Sequence, residues 1–171
     1  GRPLDALSDV RTYPDGVQAF WRSLVAISQD DETAGMLLVR RGLDPAAVDG
    51  TGMARAIPEM GGPLPAWATF RRQDWRHTTH RLCLAAFDAS GVMRSVRAWR
   101  VRSGGEYDQT PKRLPPAGCK AAGLVLANRT AQQALASDKR VPRRWVFAEG
   151  EPDFLVWACR SPGDAVIGIV S

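Results

Sequence analysis

Residues 145–170 constrain the fold more than any other stretch of this chain. Trp145-Val-Phe-Ala148 is a short apolar run of β-formers, residues 152–159 carry a helical apolar pattern, and Ala165-Val-Ile-Gly-Ile-Val170 is a second apolar run. Each run reads as a buried strand. A tight turn cannot join parallel neighbours, whereas a crossover helix can, so the segment predicts a βαβ unit and a parallel sheet.

Upstream, the periodicity is first helical. Phe20, Leu24 and Ile27 form an apolar stripe with Trp21 and Val25 beside it. Asp30-Asp31-Glu32 suits a second helix start, and Arg40-Arg41-Gly42 supplies a basic last turn followed by a stop. Asp44-Pro45 opens a short third helix. Residues 50–66, rich in Gly and Pro, read as a loop or irregular strand. Residues 80–87 and 92–102, joined by the turn Asp88-Ala-Ser-Gly91, predict an antiparallel hairpin. A polar, Pro-rich and basic loop occupies residues 106–120, followed by a short strand at 123–127 and a helix at 130–136. Residues 1–13 are polar and expected to be loose.

Composition narrows the classes. Hydrophobic residues are 44% and charged residues 24% of 171, as in a globular chain. The net charge of +5 suits a polyanionic partner but is common among ordinary proteins. Cys83, Cys119 and Cys159 are far apart and odd in number, which argues for reduced thiols rather than disulfides or a zinc site. His77 and His80, without a supporting acid cluster, read as a feature where a loop enters a strand, within reach of a phosphate. No apolar run approaches the roughly 20 residues of a bilayer span, and a cytoplasmic location without membrane contact is expected. The opening Gly1-Arg2-Pro3 and the apolar final run suggest a piece of a longer protein.

Chemistry concentrates after residue 148. Glu149 would stand at the carboxyl end of a parallel strand, where open α/β sheets gather ligands. Gly150 permits a sharp turn, and Glu151 and Asp153 add charge in the next helix's first turn. Carboxylates at this spacing suit a hard divalent cation such as Mg²⁺. Helix capping alone would account for Glu151 and Asp153, but it accounts less well for a Glu-Gly pair at the strand end. A second feature precedes it: Arg94, Arg97, Arg100, Arg102, Lys112, Arg113 and Lys120. On a regular strand Arg94, Arg100 and Arg102 share one face and Arg97 projects from the other. Such a row can bind phosphates, and its plain alternative is a solvated sheet face. Trp75 and Trp99 could stack on bases, although packing is the simpler role; Trp21, Trp67, Trp145 and Trp157 read as core.

Glu149-Gly150-Glu151-Pro152-Asp153 resembles the first motif of Toprim domains, an E-G-x-x-D pattern after a hydrophobic strand. Residues 167–171 resemble the strand that follows it. The hairpin, then Thr110-Pro-Lys-Arg-Leu-Pro-Pro-Ala-Gly118, then Gly123-Leu-Val-Leu126, resembles the segment ahead of that motif in primases. The stretch from Phe20 to Asp44 is similar to the helices after the zinc-binding module of phage- and plasmid-type primases.

The resemblance implies an α/β chain in two parts: a helical and antiparallel subdomain over residues 1–120, and the start of a Rossmann-like Toprim domain over 121–171. It implies template-directed synthesis of RNA primers by metal-dependent nucleotidyl transfer, with Glu149 and Asp153 as catalytic and metal-side groups for Mg²⁺ or Mn²⁺. The seven cations would contact a single-stranded DNA template or nucleoside triphosphates, with a helicase as a further partner. The family's zinc module and later D-x-D pair do not occur in the chain, so it is expected to be inactive alone. Two rivals stay open: another Toprim enzyme, nuclease or topoisomerase-like, and a non-catalytic nucleic-acid-binding module.

Overall fold

The computed structural model describes residues 13–170; the expectations for residues 1–12 and for Ser171 lie outside them. Three helices come first: α1 (Val17–Ser23), α2 (Asp31–Arg41) and α3 (Pro45–Gly50). The expected first helix continued past residue 24, but it stops there. Leu24 turns extended, and Val25 pairs instead with Ala56 of strand β1 (Ala54–Ala56). Tertiary pairing thus overrides the helical stripe, and Ile27 begins a short 3₁₀ turn. The second helix has the expected ends: the Asp30 side chain accepts from the Thr33 amide, and Gly42 closes it in the left-handed region at φ 62°.

A small ribbon follows, β2 (Thr69–Phe70) with β3 (Gln73–Asp74), and then the organising element, β4 (His80–Phe87). Every residue of β4 is buried. It pairs antiparallel with β5 (Met93–Arg100) on one edge and with β1 and β7 (Val125–Ala127) on the other. With β6 (Arg113–Leu114), β8 (Trp145–Ala148) and β9 (Ala165–Ile169) they form one seven-stranded mixed sheet in the order β6-β5-β4-β7-β9-β8, with β1 branching from β4. The chain is therefore of the α/β class. The sheet crosses residue 120 without a break, because β4 and β7 pair through Ala86–Leu126 and Phe87–Val125.

Alternation along β5 sends its side chains into two apolar layers. Val96 and Ala98 join Val17 and Phe20 of α1, whereas Trp99 joins Met36 and Leu37 of α2. The second layer also holds Phe154 and Leu155 of α5 (Glu151–Arg160), the crossover helix between β8 and β9. Helix α4 (Arg129–Ala136) is capped by Asn128, whose Oδ1 accepts from both Ala131 and Val166 amides at 3.0 Å. One side chain thereby fixes α4 to β9.

The βαβ unit forms as expected, with β8 parallel to β9. Two expectations about it need correction. The other pairings in the seven-stranded sheet are antiparallel, so the sheet is mixed rather than parallel. And β8 is not buried: it is the edge strand, with Phe147 72% exposed. Trp145 and Trp157, expected in the core, are 37% and 46% exposed. No disulfide joins Cys83, Cys119 or Cys159. Among the described residues no helix is long and apolar enough to cross a membrane.

Candidate functional site at the end of β8

The β-branched and aromatic run 145–148 forms β8, and Gly150 breaks it. Gly150 takes φ 79° and ψ 152°, a conformation that glycine reaches without strain. The chain turns directly into α5, with Pro152 in the first turn, where its missing amide hydrogen costs nothing. Ala148 is in register with Gly168, so Glu149 stands beside the end of β9, at the carboxyl ends of two parallel strands. Both Glu149 and Asp153 are exposed, and neither carboxylate has a hydrogen-bond or ion-pair partner among the described residues.

Glu151, between them, is the opposite case. It is 2% exposed, and its Oε1 accepts from Arg97 Nε at 2.8 Å. Arg113 Nε lies 3.3 Å from Oε2, an ion-pair distance, yet Oε2 accepts no hydrogen bond. Arg97 is itself buried, at 8% exposure. The capping role expected of Glu151 is thus the lesser part of what it does. The sequence carries one signal for this: Arg97 has the parity of Trp99, opposite to Arg94 and Arg100, and an arginine on an apolar side of a strand requires an acid.

The row of expected phosphate-binding cations is mostly committed within the protein. Arg94 pairs with Asp88 at 2.8 Å, Arg102 with Glu32 at 2.9 Å, and Arg100 with Asp108 at 3.1 Å. Arg100 also donates to the carbonyls of Tyr107 and Thr110, and its side chain is 6% exposed. Asp88 is held below the usual carboxylate range, first by the hydrogen bond from Arg94 and then by the Val92 amide. Lys112 and Lys120 are exposed and have no carboxylate partner among the described residues. The seven do not converge. Register places Arg94 toward the Glu149 end of the sheet and Arg100 toward the other, while Arg97 and Arg113 meet at Glu151.

The histidines also take separate places. His77 is exposed, and His80 is fully buried, with Nε2 2.6 Å from the Pro111 carbonyl and Nδ1 2.8 Å from the Thr78 hydroxyl. Burial is the main cause that lowers its pKa. The carbonyl requires the proton on Nε2, so Nδ1 accepts from Thr78 in the neutral ring. Its phosphate-facing role is replaced by a structural one. Trp75 and Trp99 are 0% and 4% exposed, which leaves no face for a base.

Among the described residues no group of three or more His, Cys, Asp and Glu is arranged to hold a metal ion. Glu149 and Asp153 are hard oxygen donors of the kind Mg²⁺ and Mn²⁺ accept. They fit part of a coordination shell and leave the rest to water or substrate phosphate.

No family model, no curated protein and no solved structure matches this chain.

Proposed function

We propose that the chain is part of a DNA primase of the Toprim type, making RNA primers on single-stranded DNA by metal-dependent nucleotidyl transfer. One observation carries this reading. Within five residues, the E-G-x-x-D segment leaves Glu149 and Asp153 exposed and unpaired at a parallel strand end, while it buries Glu151 against Arg97. Carboxylates used only for helix capping or solubility have no need of that division.

In this reading Glu149 faces the reacting nucleotide and accepts a proton or a cation, and Asp153 supplies a second oxygen from the first turn of α5. A divalent ion would neutralise charge on the transferring phosphate. Arg97 and Arg113 hold Glu151 and so keep the turn that presents Glu149 in place. The expected test result is that Glu149→Gln removes primer synthesis by the protein carrying this chain. Because Glu149 is exposed, its melting temperature should stay unchanged. Near-normal dinucleotide synthesis by the variant would overturn the catalytic assignment and favour a nucleic-acid-binding module.

A further inference from the structure

The C-terminal turn of α2 and the strand β6 enclose a surface groove of about 630 Å³. Its walls carry Arg40 and Arg41 from α2, Arg100 from β5, and Lys112 and Arg113 from β6 and the residue before it. The one acid in the lining, Asp108, already faces Arg100. Arg40, Arg41 and Lys112 are exposed and lack a carboxylate partner among the described residues. Arg40 donates to the Ser103 hydroxyl at 2.6 Å. Arg94, Arg97, Arg100 and Arg102 each face a carboxylate, whereas this groove gathers three cations that do not.

We propose that this groove binds the phosphodiester backbone of single-stranded nucleic acid, through Arg40, Arg41, Lys112 and Arg113, without reading the bases. The proposal rests on the reading of the chain as acting on nucleic acid, but not on catalysis by Glu149. Two observations favour a backbone over a base. The groove's aromatic residue, Trp99, is 4% exposed, and two guanidinium groups already lie over its ring, Arg113 at 4.9 Å and Arg41 at 5.8 Å. Stacking platforms for single strands need an open ring face, and this one is taken. The other lining side chains, Met36, Ser103, Asp108 and Thr110 beside the cations, include no second aromatic ring on which a base could stack. Arg113 is the inner limit, since it also reaches Glu151, two residues from Glu149.

The test is fluorescence anisotropy of a labelled single-stranded oligodeoxythymidylate titrated with the full chain. One variant neutralises the groove, Arg40→Gln/Arg41→Gln/Lys112→Gln. A charge-matched control neutralises the exposed Lys139→Gln/Arg140→Gln/Arg143→Gln ahead of β8. We expect the groove variant to lose at least about tenfold in affinity at low salt and to lower the salt slope by about 2 for three contacts. The control should change affinity less than about twofold, and a mixed-sequence oligonucleotide should bind as tightly as oligodeoxythymidylate within about threefold. Equal losses from both variants would reduce the groove to diffuse charge and overturn the proposal. Displacement of the oligonucleotide by micromolar tripolyphosphate would overturn it in favour of a terminal triphosphate site. Primer synthesis that survives Glu149→Gln leaves this proposal standing, and groove variants that bind normally leave the catalytic reading standing.

Discussion

Glu149 and Glu151 are the same residue type, two positions apart, in opposite electrostatic circumstances. The exposed one is free to meet a cation, and the buried one is tied to Arg97 and approached by Arg113. Removing one partner of a buried ion pair costs more than the pair contributes, because the remaining charge stays desolvated. Glu151→Gln should therefore destabilise the chain by about 3–5 kcal/mol in urea denaturation, whereas Glu149→Gln should stay within about 0.5 kcal/mol of the parent. Equal, small effects would mean that Glu151 is solvated in solution. Sequence reasoning placed Glu149 at a strand end, where it stands, and it missed the role of Glu151 for a physical reason. The partners that decide the fate of each charge are remote: Arg97 lies 54 residues from Glu151, and Arg102 lies 70 from Glu32. Local spacing shows which residues can bind phosphate but not which are already engaged.

Element by element, most of the chain was legible where the signal was local. The caps Asp30 and Gly42, the hairpin turn at Asp88 and the strand-helix-strand order are short-range chemistry, and each occurs where expected. Burial of β8 was not legible, because an edge strand and a central strand can share the same apolar residues. Only the sheet order shows that Phe147 lacks a covering neighbour. On the other side of β9 the packing is tight. A Cβ added at Gly168 would come within 2.7 Å of Phe154 Cβ and Cγ, and Phe154 is fully buried. The close approach of α5 to β9 thus depends on the missing side chain. Gly168→Ala should cost about 1–3 kcal/mol by overpacking, read as a lower midpoint in chemical denaturation. An unchanged midpoint would show that α5 can move outward without loss.

For the whole molecule, the expected boundary at residue 120 can be tested directly. Strand β4 is buried throughout, and β7 is one of the strands that cover its edge. A chain ended at residue 120 would lose β7, β9 and α5 together and expose the apolar side chains they cover. It should show no cooperative unfolding transition, whereas residues 13–170 should unfold once, with tryptophan fluorescence and circular dichroism coincident. A cooperative transition in the shorter chain would establish an independent N-terminal unit.

The unbroken sheet also governs how occupancy is felt at a distance. If opening is global, a ligand that binds only the folded form raises the free energy of opening everywhere, by about 2.7 kcal/mol at a hundredfold excess over its dissociation constant. An oligonucleotide seated between α2 and β6 would then protect the amides of β9 from hydrogen exchange as fully as those of β4, though it touches neither.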